Sequence, residues 1–232
     1  MAPRKSHIMS KENVPAPTVM PLNREEWVKQ IGLSNFINTY YQYKDVQTIS
    51  GCSKILIVGS GQGLDKVVLE WRGYDVTTID IDSTFDPDYT GSVHDLNMFD
   101  TGQFDVVIAS HVLEHLAEPY LDPALQEIAR VGHHGLVYLP VHGKHFQWRF
   151  TTGARRLDLS LVLDLYNLFK KPDGFSPRYS AGQHFWEVGM RGFKVKDMKK
   201  RFLSFFDIVY MYRNKDWLPS INFVLKSRIH MA

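Results

Sequence analysis

The segment "SHVLEHL", Ser110–Leu116, holds two histidines and a glutamate in the spacing H-x-x-E-H. On a helix, His111 and His115 would lie on one face and could grip one zinc ion, with Glu114 as a base. A zinc site also needs a third ligand, and nothing in the sequence identifies one. A second segment, "VGSGQG", spaces Gly59, Gly61 and Gly63 by two residues, between an apolar run and an amphipathic one. Glycines let the chain turn sharply and let a ligand approach its amides, and a helix start behind them favours negative charge. Asp80 ends the next apolar run, where a carboxylate can accept both hydroxyls of a ribose. The turn and the acid together predict a nucleoside-bearing cofactor. The dinucleotide pattern G-x-G-x-x-G wants glycine at position 64, and the chain has Leu64 there.

The elements that must position these residues alternate. "KILIVGS" reads as a strand apolar on both faces, as in a covered parallel sheet. "LDKVVLEWRG" reads as a helix burying Leu64, Val67, Val68 and Trp71. "YDVTTIDI", "FDVVIAS" and "GLVYLPV" are further strands, and "DPALQEIARVG" is a helix capped by Asp122 with Pro123 in its first turn. This alternation predicts an α/β, Rossmann-like, doubly wound and mostly parallel seven-stranded sheet with helices on both faces. The closing strands "FDIVYMYR" and "SINFVLKS" form an antiparallel pair, which puts an antiparallel strand near one edge. "FKVKDMKKRFLSF" is the last helix.

Before this core, residues 1–22 read as a flexible arm, and Met9 suggests that residues 1–8 are foreign to the native protein. A helix is expected from Asn23, with Glu26 at capping-box spacing and Trp27, Ile31 and Phe36 on its apolar side. Residues 23–232 read as a single domain. At about 143–182 the rhythm breaks, which suggests an insertion over the open end of the sheet, with "RLDLSLVLDLYNLFKK" helical.

Composition sets the limits. Of 232 residues 44% are hydrophobic and 22% charged, ordinary for a globular domain. No apolar run reaches the ~20 residues that span a bilayer. The one cysteine, Cys52, excludes an intrachain disulfide. A cytoplasmic setting is expected. A net charge of +2 is too small to announce a nucleic-acid partner.

"ILIVGSGQG", "VTTIDID", "HDLNMFDTGQFDVVIASHVLEHL" and "GLVYLPV", in that order, resemble the class I S-adenosylmethionine-dependent methyltransferases of type 11. The resemblance covers about 55–141 well and the last two strands loosely. It implies that Gly59, Ser60, Gly61, Gln62 and Gly63 cradle the methionine part of S-adenosyl-L-methionine. Asp80, beside Ile81, would hold the ribose, and Asp95 the adenine amine with Leu96 packed on the ring. Ser110 and His111 would line the sulfonium side, with S-adenosyl-L-homocysteine as product. It also accounts for "VLEHL" after the fourth strand without a metal, so none is expected.

Methyl transfer from a sulfonium needs alignment, and a base if the acceptor is a hydroxyl. His115, His142 and His184 are the candidates for proton removal or acceptor orientation. His145 lies near His142. Glu114 reads as a helix-surface or capping group. "GQHFWEVGMRGF" either anchors the last helix through its aromatics or brings His184 or Glu187 to the acceptor. The acceptor expected is a small molecule, such as a sugar- or nucleotide-linked metabolite, methylated at O or N. Arg191, Lys194, Lys196, Lys199, Lys200 and Arg201, with Arg149, Arg155 and Arg156, leave an RNA or tRNA methyltransferase as the nearest alternative. An NAD-dependent oxidoreductase and a noncatalytic nucleotide-binding module are the more distant ones.

Overall fold

The computed structural model describes residues 31–152, 155–163, 184–217 and 219–230. The arm, the Asn23–Glu26 cap and Trp27 lie outside these residues. The first described helix, α1, spans Leu33–Val46 behind Gly32, whose N–H is accepted by Asn35 Oδ1 at 2.9 Å. Its inner face carries Tyr41, Gln42, Asp45 and Val46, while Ile31 and Phe36 are exposed, contrary to expectation. Aromatics later in the helix supply the packing that Phe36 was expected to give.

Strands β1 (Lys54–Val58), β2 (Asp75–Asp80), β3 (Tyr89–Thr90), β4 (Phe104–Ser110) and β5 (Gly132–Pro140) join β8 (Phe206–Arg213) and β9 (Ser220–Ser227) in one sheet. Its order is β3-β2-β1-β4-β5-β9-β8. The pairs along β3-β2-β1-β4-β5 are parallel, and β9 is antiparallel to both β5 and β8. The expected reversed strand is therefore β9, one place in from the edge.

Alternation along each strand divides the interior in two. Ile55 and Ile57 join Val106, Ile108, Leu136 and Tyr138 under α1 and α2 (Leu64–Trp71). Leu56 and Val58 join Val107, Ala109, Val137 and Leu139 under α3 (Glu118–Val131) and α4 (Val195–Phe202). Parallel register sets Ile55 against Val106 and Leu56 against Val107, so both layers continue across strands. At ~25 cal/mol per Å² this two-sided burial is the main source of stability.

Several local expectations differ. In α2 only Leu69 is buried, and Val67 and Trp71 are 64% and 79% exposed. The helix is short and meets the sheet along one narrow line. Helix α3 starts at Glu118, not Asp122, with Pro119 in its first turn and Pro123 inside. Leu121, fully buried, extends its apolar stripe backward past Asp122, which instead accepts from Arg201 at 2.9 Å. Arg201 also pairs with Glu118, so this member of the basic helix is already engaged. The predicted helix at "RLDLSLVL" is β7 (Arg155–Leu163), paired antiparallel with β6 (Lys144–Thr152). Leucine at every second position from 157 to 163 is a strand period, and that period prevails over leucine's helical preference. The rest of the expected insertion and the side chains of His145, Arg149, Arg155 and Arg156 lie outside the described residues.

A polar staple closes the sheet edge. Lys66 of α2 donates to both oxygens of Asp88 at 2.9 and 2.8 Å, and Thr78 of β2 donates to it through its amide and hydroxyl, both at 2.8 Å. Burial pushes the Asp88 carboxyl up, but these donors outweigh it and hold it below its ordinary value. A folded-state pKa below the unfolded one adds stability above about pH 4, lost as pH falls through the folded value. Thermal melts from pH 6 to 3 should show Asp88→Asn losing less stability on acidification than the parent; parallel pH dependence would contradict this. Partial exposure of the pair keeps the effect small.

Candidate functional site

Strand order reverses between β1 and β4: the chain leaves β1 toward β2 and β3, then returns to β4 on the other side. In open α/β sheets the carboxyl ends of such strands part and leave a crevice. A cleft of about 300 Å³ lies there, lined from four directions. Gly59, Ser60, Gly61 and Gln62 come from the turn after β1, Asp80 and Ile81 from the end of β2, and Ser110, His111 and His115 from the segment after β4. Asn38 and its neighbours on α1 form the roof, and Trp217 and Phe85 close the sides.

The turn after β1 needs glycine. Gly59, Gly61 and Gly63 have φ of 76°, 47° and 75°. At Gly59 space is also limiting, because a Cβ there would lie 2.4 Å from Val112 Cγ2. The turn and the post-β4 segment are thus in contact through the missing side chain. Gly63 precedes α2 and lies outside the cleft lining.

Asp80 is nearly buried at the cleft floor. Its Oδ1 accepts from the Asp82 amide at 3.0 Å, whereas Oδ2 meets Ser60 Oγ and Gly61 N only at 3.3 and 3.4 Å. Those two contacts are long, leaving Oδ2 ready to accept from a better donor. Asn38 donates to Ser110 Oγ at 2.8 Å, and its own buried Oδ1 has no hydrogen-bond partner among the described residues. The same holds for His111 Nε2. Unpaired buried polar atoms facing a cavity cost stability unless a ligand meets them.

His111 adopts φ of 56°, a left-handed conformation rare outside glycine. Its amide donates to Tyr138 O at 2.9 Å and its ring rests on Trp217, centroids 4.9 Å apart. Strain of this sort costs about 1–3 kcal/mol and is held by its surroundings. H-x-x-E-H is therefore not a run of α-helix; Leu113–His115 form one 3-10 turn.

Behind the cleft wall lies a buried acid–histidine network. Glu114, expected on the surface, is fully buried because its turn folds under the end of the sheet. The segment from His184 to Val188 docks beside that turn: Phe185 N donates to Glu114 O at 2.8 Å and Trp186 Nε1 to Leu116 O at 3.0 Å. Trp186 stacks on Phe193, so the aromatic-anchor reading holds for it. His184 and Glu187 turn instead toward the histidines. Glu187 bonds His184 Nδ1 at 2.9 Å and His142 Nδ1 at 3.2 Å. Burial raises the Glu187 carboxyl, but these two imidazoles outweigh it and bring it to about 2. Burial lowers His184, but the Glu187 bond and the Glu114 and Glu187 charges outweigh it and raise it.

The predicted residues thus fall into groups. Gly59, Ser60, Gly61, Gln62, Asp80, Ile81, Ser110, His111 and His115 share the cleft. His142 and His184 stand behind it, tied through Glu187. Asp95 and Leu96 do not reach it. Leu96 is wholly buried with its amide held by Glu127 at 2.9 Å, and Asp95 lines a separate groove with Glu127 and Arg130. Ser92 and Val93 line a smaller cavity shared with Asp80, Ile81 and His115. They lie on the bend from β3, whose two-residue length gave no strand signal from which to count. Asn38, Phe85 and Trp217 were not foreseen, because chain-distant elements bring them in.

Residues 56–139 match the methyltransferase domain family. A search of curated protein sequences gives no match. Among solved structures, an S-adenosylmethionine-dependent methyltransferase from Archaeoglobus fulgidus aligns with TM-score 0.57 at 13% identity, over 82% of this chain and 92% of its own. One from Clostridium acetobutylicum aligns with TM-score 0.53 at 10% identity, over 89% and 93%. A glycopeptide N-methyltransferase complexed with sinefungin aligns with TM-score 0.50 at 12% identity, over 82% and 94%. At such identities the likeness shows the shared fold. The expected resemblance to class I methyltransferases therefore stands on the family match and on this fold together.

Gly59→Ala should force Val112 aside and strain the turn, lowering stability by about 1–3 kcal/mol in urea denaturation. Trimming Val112 in the double variant Gly59→Ala/Val112→Ala should remove the clash but leave the φ strain. If the single variant is as stable as the parent, the contact does not shape the cleft.

Proposed function

We propose that this chain, whose residues 56–139 carry a methyltransferase domain, is a class I S-adenosylmethionine-dependent methyltransferase acting on an O or N atom of a small molecule. The observation that carries the reading is Asp80 at the cleft floor, with one carboxylate oxygen held only by long contacts. A ribose diol supplies the donors that this oxygen lacks. The cleft also suits the rest of the cofactor. The glycine turn and the α2 start present amides toward a carboxylate, and Ile81 and Phe85 offer apolar surface to a base. Asn38 Oδ1 and His111 Nε2 remain for polar groups at the reacting end. We place the adenine beside Ser92 and Val93, not Asp95, because the smaller cavity adjoins Asp80 and Ile81.

When bound, the cofactor supplies a methyl group on a sulfonium, which leaves without acid assistance. The protein's own task is alignment and proton handling. Trp217, against His111, excludes water from one side. His111 and His115 form the polar wall to which an acceptor's proton can pass, backed by buried Glu114. His142 and His184 act through Glu187 on the shape and charge of that wall. The small-molecule reading rests on the cleft's volume of about 300 Å³ and on Arg201 being paired with Glu118 and Asp122.

Titration calorimetry should detect S-adenosyl-L-homocysteine binding to the full chain, and Asp80→Ala should weaken it at least tenfold, about 1.4 kcal/mol. NAD should give no heat. Equal affinity in parent and variant, or binding of NAD alone, would overturn the assignment.

A further inference from the structure

Glu114 poses a problem of charge. It is fully buried, and neither carboxylate oxygen has a hydrogen-bond partner among the described residues. A carboxylate removed from water without donors costs several kcal/mol unless a positive charge offsets it. His111 Nδ1 lies 3.5 Å from Oε1, too far for a well-formed hydrogen bond. On the other side His184 Nε2 lies 3.9 Å from the same oxygen. His184 already shares Nδ1 with Glu187 at 2.9 Å. A neutral imidazole that donates from Nδ1 carries a lone pair on Nε2. Nε2 therefore faces the carboxylate oxygen across a buried gap of 3.9 Å, which either a second proton or a metal ion in its place can bridge. His115 completes the surround, its ring edge-on to His184 with centroids 4.9 Å apart. One ligand atom each from Glu114, His115 and His184 lies within 4.8 Å of the other two.

We propose that Glu114, His115 and His184 bind one divalent metal ion of the zinc type. Two imidazoles and one carboxylate suit a borderline cation better than magnesium or calcium, which prefer all-oxygen sites. Metal–ligand bonds of about 2.0–2.2 Å require the three side chains to close in by roughly 1 Å. Glu187 supplies the carboxylate that orients a metal-bound histidine and fixes its tautomer. Three protein ligands leave a fourth position open, and His115 turns that position toward the cleft, whose wall it forms. The site is not that of a metallopeptidase, because His111 is not a ligand and the turn is not a helix. The sequence expectation of no metal rested on the family resemblance and on the want of a third ligand, and the proposal answers the second ground with His184, brought in across the fold.

Resting on the methyltransferase reading, the open position identifies the acceptor class as a molecule whose methylated group is a hydroxyl. Such an acceptor gives up its hydroxyl proton to His111 Nε2 on the cleft wall, and from there to solvent, as its oxygen binds the metal. The metal holds the resulting alkoxide or phenolate at neutral pH, as it does a bound water.

The test uses zinc alone, without cofactor. Metal-stripped full-length protein, dialysed against zinc chloride and analysed by mass spectrometry of the metal, should retain about one equivalent. His184→Ala and His115→Ala should retain none, and Glu114→Gln should bind at least tenfold more weakly. His133→Ala should bind as the parent does; it removes one member of a surface histidine pair, His133 and His230, far from the cleft. Circular dichroism and S-adenosyl-L-homocysteine binding report whether each variant is folded. Should His184→Ala not fold, the cobalt(II) form of the parent decides: d–d bands of a nitrogen-ligated site support the proposal, and their absence overturns it. It is also overturned if the parent binds no zinc, or if zinc is lost in His133→Ala and kept in His184→Ala. S-adenosyl-L-homocysteine bound by a protein that binds no zinc leaves the enzyme assignment intact and removes only the metal.

Discussion

Where β1 ends, the backbone has to turn away from β4 without a side chain in the way. Gly59 meets that constraint twice, through a left-handed φ of 76° and through the space that Val112 fills above it. Its amide donates to Ile79 O at 2.8 Å, which ties the turn to the end of β2. One residue thereby fixes the relative positions of the three strand ends that carry Ser60, Asp80 and His111. The cleft is a consequence of backbone geometry, and its polar lining is secondary to it.

A different principle governs the wall behind. Glu114 and Glu187 lie where water does not screen them, and four histidines stand around them. Purely structural packing would favour apolar residues here, because a buried ion pair seldom outperforms a hydrophobic substitute in stability. Keeping two carboxylates behind the cleft wall makes sense when their charge is used. The strained His111 belongs to the same economy: its φ of 56° is tolerated because its amide and ring are both held.

The legible part of the sequence was the part that repeats. Runs such as Ile55–Val58 and Val106–Ala109 announce strands buried on both faces, and their alternation with helices gives the layered sheet. Gly59, Asp80 and His111 follow because each stands at the end of such a run. What failed was of two kinds. Leucine-rich "RLDLSLVL" was read by residue preference when its period of two pointed to a strand. Asp95 was assigned to the adenine through the family resemblance, whereas the bend after β3 sets it on a separate groove. The partnership of Glu114 with His184 had no signal to offer, since it exists only once the chain segment around Trp186 docks against the turn at Leu116.

Two buried acids, one on each side of the sheet, tie two walls of the cleft to it. Behind α1, Asp45 accepts from Tyr138 at 2.5 Å, Tyr212 at 2.7 Å and Tyr210 at 3.1 Å. Burial raises the Asp45 carboxyl and outweighs these bonds, so it is a poor anion that depends on them. It joins α1 to β5 and β8 and so sets where Asn38 meets Ser110. On the opposite layer, Glu187 joins the His184 segment to His142 at the end of β5. Both acids act on β5, whose Tyr138 also receives the amide of His111. A shift of that strand by a fraction of an ångström would move the roof, the strained histidine and the buried wall together. Strand β5 is therefore the element on which the two halves of the site are registered, although none of its own residues lines the cleft.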